Sequence, residues 1–189
     1  MTNNTLVCHP DKLCTATESL SAGFGWLPEG HLKLCYELTG DLTQLLIPAP
    51  QRPDAVDGLW EHTCFEAFIA VAGETGYHEF NFSPSGQWAA YAFSDYRVRS
   101  IWTSSQPPFI SLANTNKHLL LEAVIAAADL PQNIAGKPFQ LGLTAVIEAT
   151  DGSRSYWALH HPLSRPDFHH RAGFILTIKQ QLRNLHEIT

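Results

Sequence analysis

The sequence predicts an all-β fold, a two-sheet antiparallel β-sandwich of about ten strands in the jelly-roll or immunoglobulin-like manner, with one short C-terminal helix at most. Apolar residues recur at period 2 in one segment after another, and clusters of Gly, Pro, Asn and Asp fall between those segments. Size agrees with this. A chain of 189 residues, 44% hydrophobic and 16% charged, reads as a single domain over 1–189. At that length about 70% of the unfolded surface is buried, without a disulfide or metal staple.

Taken along the chain, Leu32, Leu34, Tyr36 and Leu38 alternate with Lys33, Cys35 and Glu37, which makes one half-buried strand. A short apolar run over 42–47 follows, closed by Pro48-Ala-Pro50. Phe65, Ala67, Ile69 and Val71 alternate with Cys64, Glu66, Phe68 and Ala70; Phe80 and Phe82 alternate with Glu79, Asn81 and Ser83. Segments 87–93, 109–113, 117–126, 139–149, 154–160 and 174–179 complete the strands, and only 182–188 has helical spacing. Turn signals separate them at Ala72-Gly-Glu-Thr-Gly76, Ser83-Pro-Ser-Gly86, Asn114-Thr-Asn116 and Thr150-Asp-Gly-Ser153. Two longer loops, 48–59 and 161–173, break the rhythm.

Charge and composition exclude several partners. Twelve Lys and Arg against 18 Asp and Glu give a net charge of −6, the wrong balance for a phosphate backbone, so no nucleic acid is expected. The longest weakly charged apolar run, 119–128, contains Glu122 and is too short to cross a bilayer, so no membrane partner is expected. Met1-Thr-Asn-Asn-Thr-Leu-Val-Cys-His-Pro10 has neither a basic n-region nor an apolar core. A cytoplasmic chain is the expectation, with Cys8, Cys14, Cys35 and Cys64 as reduced thiols. No C-x-x-C occurs, which removes support for a zinc ribbon or redox pair.

Register arguments bring residues together. One face of each strand is buried, so the hairpin over 65–82 pairs Phe65 with Phe82 and Ala67 with Phe80 inside, and Glu66 with Asn81 outside. A carboxylate and an amide facing each other at about 5 Å can both bond a ligand hydroxyl; a merely solvated polar face is the competing reading. Ser83-Pro-Ser-Gly86 admits either a two-residue loop or a type I turn with a glycine bulge, and the two send Trp88 to opposite faces. Asp151-Gly152 suits a type I′ turn, which sets Trp157 across from Val146 and next to Gly142, on the face away from the main core or against the second layer of a curved sheet. Such an indole beside a bare backbone makes a shelf for a ring-shaped ligand.

Catalytic motifs are scarce. His160-His161 and His169-His170 with Asp167 between them offer nitrogen and oxygen donors, yet no H-E-x-x-H or H-x-H spacing occurs, so no metal site is assigned. A loop stitched by Asp167 to nearby backbone N–H groups accounts for the same residues. There is no G-x-S-x-G and no phosphate-cradling glycine loop. Glu66 and Glu79 on one face resemble the paired carboxylates of a glycosidase only in their spacing. The only methionine is Met1, which excludes an axial Met for haem and leaves bis-His ligation formally open.

Three segments, in order, resemble a known group: Leu59-Trp-Glu-His-Thr-Cys-Phe-Glu66-Ala-Phe-Ile, Tyr77-His-Glu-Phe-Asn-Phe-Ser-Pro-Ser-Gly-Gln-Trp88-Ala-Ala-Tyr91, and Tyr156-Trp-Ala-Leu-His160-His-Pro with Pro166-Asp-Phe-His169. They are similar to bacterial DOMON-like proteins, ligand-binding domains related to family 9 carbohydrate-binding modules. The resemblance covers about 59–174 and implies a sandwich that binds a sugar or, in other branches, haem. Glu66 matches the acidic position of an E-x-F-I strand, and Asn81, Pro84 and Gly86 match an N-x-x-P-x-G hairpin. Trp88 and Trp157 stand where that resemblance implies aromatic rings.

The resulting expectation is a non-enzymatic domain for a small ligand, most simply a sugar, with no cofactor. Trp60, Trp88 and Trp157 would stack on the ligand, while Glu66, Asn81 and His160 would read its hydroxyls. A haem or electron-transfer module, a protein-interaction domain and a hydrolase are the alternatives.

Overall fold

The computed structural model describes residues 2–134 and 136–179; the helical expectation over 182–188 lies outside the described residues. One sheet has five strands: β1 (Thr2–Thr5), β3 (Thr17–Trp26), β4 (Leu32–Gly40), β10 (His118–Ile125) and β9 (Phe109–Asn114), in that spatial order. The second sheet orders β2 (Val7–Cys8), β12 (Arg154–Ala158), β11 (Phe139–Glu148), β5 (Cys64–Val71), β6 (Tyr77–Phe82), β7 (Trp88–Asp95) and β8 (Val98–Arg99). A short β13 (Leu176–Ile178) also pairs with β11, and every ladder in both sheets is antiparallel. The all-β sandwich is as expected. Among the described residues no helix is long and apolar enough to cross a membrane.

The core lies between the sheets. Leu32, Leu34, Tyr36 and Leu38 of β4 are sealed, as are Leu119, Leu121 and Ala123 of β10; they pack on Phe65, Ala67, Phe80, Leu141 and Leu143 of the facing sheet. Strict alternation in β4 and β10 reflects one covered and one wet face. β5 is buried along its whole length. Its outer face carries Phe68 and Ala70, which join Tyr77, Phe93 and Phe174 in a second apolar cluster on the far side of the sheet.

Two elements depart from the sequence pattern. β3 has a Ser- and Gly-rich sequence and a bulge between Thr17 and Ser19, so its period is muffled. The apolar run over 42–47 is a 3-10 turn, Leu42–Gln44, capped where Asp41 Oδ1 accepts from the Thr43 amide, followed by a lone bridge from Leu45 to Ala149.

The hairpin β5–β6 pairs Phe65 with Phe82, Ala67 with Phe80 and Glu66 with Asn81, as the burial argument requires. The turn before β7 takes the bulged form: Gly86 has φ +89, and Gly86 N donates to Ser83 O. Asn81 therefore pairs with Ala89, and Phe82 with Trp88. The β11–β12 turn uses the same device. Gly152 has φ +82 and Gly152 N donates to Ala149 O, so the loop is Thr150-Asp151-Gly152 rather than two residues. Trp157 consequently pairs with Ala145 and Tyr156 with Val146. This one-residue shift exchanges the two faces of β12, sending Trp157 inward and Tyr156 outward.

Candidate functional site

A cleft of about 610 Å³ opens on the outer face of the second sheet. Its floor is set by register. Ala158, Thr144, Glu66, Asn81 and Ala89 lie side by side across five strands, and the next row holds Gly142, Phe68, Glu79 and Tyr91. Glu66 and Glu79 are thus diagonal neighbours on one face, only 3% and 5% exposed. Aromatic walls come from Trp60, Phe93, Tyr156 and Phe168.

Loops hold the walls in place. Gly58, at φ +80, starts the 3-10 turn Leu59–Glu61 that carries Trp60, whose ring meets Tyr91 edge-on at 6.0 Å. The loop over 161–173 folds back across the sheet because Phe174 fills the space above Gly142; a Cβ on Gly142 would come within 2.8 Å of Phe174 Cδ1. Asp167 then ties this loop to the turn after β7, accepting from Tyr96 Oη at 2.5 Å and from Arg97 Nη2 at 3.0 Å. Asp167 Oδ1 also accepts from the His169 amide at 3.1 Å, the stitching expected of it.

Electrostatics follow from burial. Desolvation, with Glu79 beside it, pushes the Glu66 carboxyl well above its ordinary pKa. Its Oε1 is buried with no hydrogen-bond partner among the described residues. Burial also raises Glu79, against the pull of Asn81 Nδ2, which donates to Glu79 Oε1 at 2.7 Å. His169 is desolvated and sits near Arg97, which lowers its pKa to about 4, so the ring is neutral at pH 7. The Tyr77 hydroxyl accepts from the Arg97 amide at 3.1 Å and shares a hydrogen bond of 2.8 Å with His169 Nδ1. His169 Nε2 faces Glu79 Oε2 at 3.7 Å.

Of the six side chains that the sequence singled out, the fold brings Trp60 and Glu66 to this cleft. Asn81 is fully buried beneath it, with its amide on Glu79 and its Oδ1 accepting from Cys64 Sγ at 3.8 Å. Trp88 lies on the opposite face of the sheet, that of Phe82 and Phe80, and its backbone pairs in a parallel bridge with Ala55. Trp157 is not on the outer face: it is 7% exposed in the main core, its Nε1 donating to Ser155 Oγ at 2.9 Å. The space beside Gly142 belongs to Phe174 instead. His160 is exposed and outside the cleft lining.

The cleft also uses residues the pattern did not reveal. Tyr156 was hidden by the hairpin register, and a bulged turn at Gly152, the form considered for Gly86, exposes it. Arg97, Arg99 and Arg154 line the rim without any motif to mark them. Among the described residues no three His, Cys, Asp or Glu side chains gather as a metal site. All four cysteines are free thiols.

No family model matches the chain, and no curated protein matches it. Solved structures do share its fold. A candidate carbohydrate-binding protein from Bacteroides uniformis aligns over 92% of this chain and 84% of its own, with TM-score 0.64 and 17% identity. A family 9 carbohydrate-binding module from Caldicellulosiruptor kristjanssonii, solved with cellotriose, aligns over 100% of this chain and 86% of its own, at TM-score 0.58 and 11% identity. A module of the same family and organism, solved with glucose, aligns over 94% and 85%, at TM-score 0.54 and 11% identity. This chain has the sandwich fold of the family 9 carbohydrate-binding modules.

Proposed function

We propose that the protein is a non-enzymatic carbohydrate-binding domain whose site is the cleft over Glu66. The observation that carries this is the buried Glu66 Oε1, left without a partner at the floor of an aromatic-walled hollow. A buried polar atom of this kind costs about 1–3 kcal/mol if nothing ever meets it, and a ligand hydroxyl would remove that cost. The apolar C–H face of a pyranose stacks on indole and phenol rings such as Trp60 and Tyr156. Six Glu and Arg side chains share the lining with these rings, which makes the cleft more polar than an ordinary apolar pocket and suits a hydroxyl-rich ligand. The shared fold of solved sugar-binding modules supports the same reading, as does the motif resemblance to DOMON-like domains.

A hydrolytic role has less behind it. Glycoside hydrolysis needs two carboxyl groups flanking the scissile bond, whereas Glu66 and Glu79 are diagonal neighbours sealed into the floor of the cleft, 3% and 5% exposed. Titration calorimetry and tryptophan emission against a panel of mono- and disaccharides test the proposal. Trp60→Ala should weaken the best ligand at least about tenfold, the loss expected for one stacking ring of about 1.5 kcal/mol, with thermal stability little changed. Unaltered emission and no heat with any sugar at millimolar concentration would sink the reading.

A further inference from the structure

The protein as a whole carries a net charge of −6, which disfavours the approach of anions. The cleft is different. Three guanidinium groups, of Arg97, Arg99 and Arg154, share its lining with three carboxyl groups, of Glu61, Glu66 and Glu79. Burial, with Glu79 beside it, favours the neutral form of Glu66, so that carboxyl offsets little of the positive charge. His169 contributes no charge at neutral pH.

The arginines differ in what holds them. Arg97 pairs with Asp167 at 3.0 Å, and Arg99 lies 3.7 Å from Asp57 while stacking on the Tyr91 ring. Arg154 makes no ion pair among the described residues; one Nη1 bond to the Glu61 carbonyl, at 3.1 Å, steadies it. A planar guanidinium with its remaining donors free, beside aromatic rings, suits two-pronged contact with a carboxylate or phosphate. A neutral Glu66 offers an O–H donor as well as its acceptor oxygens, so it can donate to an oxygen of a carboxylate- or phosphate-bearing ligand.

We propose that the ligand of this cleft is an acidic carbohydrate, a pyranose bearing a carboxylate or phosphate, with Arg154 receiving the charged group. This rests on the carbohydrate reading of the site and narrows it. Arg97 and Arg99 are already balanced by Asp167 and Asp57, which leaves Arg154 as the lining guanidinium without a carboxylate partner among the described residues.

Calorimetry with glucuronate, glucose 6-phosphate, glucose and inorganic phosphate, each at low and high salt, tests the idea. One or both acidic sugars should bind at least about tenfold more tightly than glucose, as a charge-assisted bond implies, and the advantage should shrink at high salt. Arg154→Gln should abolish the advantage and Arg154→Lys should keep part of it, with melting temperatures confirming that both variants fold. Whether glucuronate or glucose 6-phosphate binds better identifies the anion. Glucose binding as tightly as both acidic sugars would overturn the charge assignment and leave carbohydrate binding intact. Inorganic phosphate binding as tightly as glucose 6-phosphate would overturn it as well, revealing only an ion site. Binding of none of the sugars would remove both readings together.

Discussion

Replacing Glu66 by Gln keeps the shape of the side chain and removes a titrating proton from the cleft floor. In the folded chain burial and the neighbouring Glu79 raise the Glu66 pKa well above its usual 4.5. Above pH 4.5 the folded chain therefore holds a proton that the unfolded chain has released. Stability from this group is fully present below pH 4.5. It is lost as pH climbs toward the folded pKa, at about 1.4 kcal/mol per pH unit. Other groups act in the opposite sense. His78, His161 and His169 have lowered pKa values, so the folded chain binds fewer protons there and their contribution grows with pH up to 6.5. The wild-type curve mixes these slopes, but its difference from Glu66→Gln isolates the titration of the interacting Glu66–Glu79 pair. For a chain of this size the melting-temperature gap in favour of the variant should widen by about 3–5 °C per pH unit from pH 5 upward. Differential scanning calorimetry in matched buffers measures it. Parallel curves for the two proteins would refute the claim that Glu66 is buried as an acid.

Gly142→Ala should cost about 1–3 kcal/mol, since the new methyl meets the Phe174 ring at 2.8 Å and that ring is itself confined; an unchanged melting temperature would show that Phe174 sits elsewhere. Trp157→Ala should cost about 3–5 kcal/mol by opening a cavity in the main core. Ligand affinity measured below the melting transition should change little, and a selective loss of binding would return this indole to the site. Gly86→Ala forces a side chain onto φ +89 and should destabilise by about 1–2 kcal/mol in denaturant titration.

Much of the sandwich was legible because burial of one face writes itself as alternation. β4 and the β5–β6 hairpin follow directly from Leu32 to Leu38 and from the paired Phe and Ala positions. β3 escaped because Ser21, Gly23 and Gly25 supply little contrast between faces, its close packing on β4 being made by small residues. The β11–β12 register turned on whether Asp151-Gly152 closes a two- or three-residue loop, and local sequence is compatible with both. That single choice decided whether Trp157 or Tyr156 meets solvent. Glu66 was legible as an outward strand position. The arginines were not, because the reach of a surface side chain into a cleft depends on how the loops over 54–62 and 161–173 fold back.

Glu66 has a second attachment. Its backbone carbonyl accepts from the Tyr36 hydroxyl at 2.7 Å, a phenol of the opposite sheet with no exposed surface. The residue at the cleft floor is thereby braced from the dry side of the sandwich, so any tug on its main chain by an occupant is felt two layers away. The Tyr36 hydroxyl proton, shielded from exchange with water, becomes a resonance by which occupancy can be followed from inside the molecule.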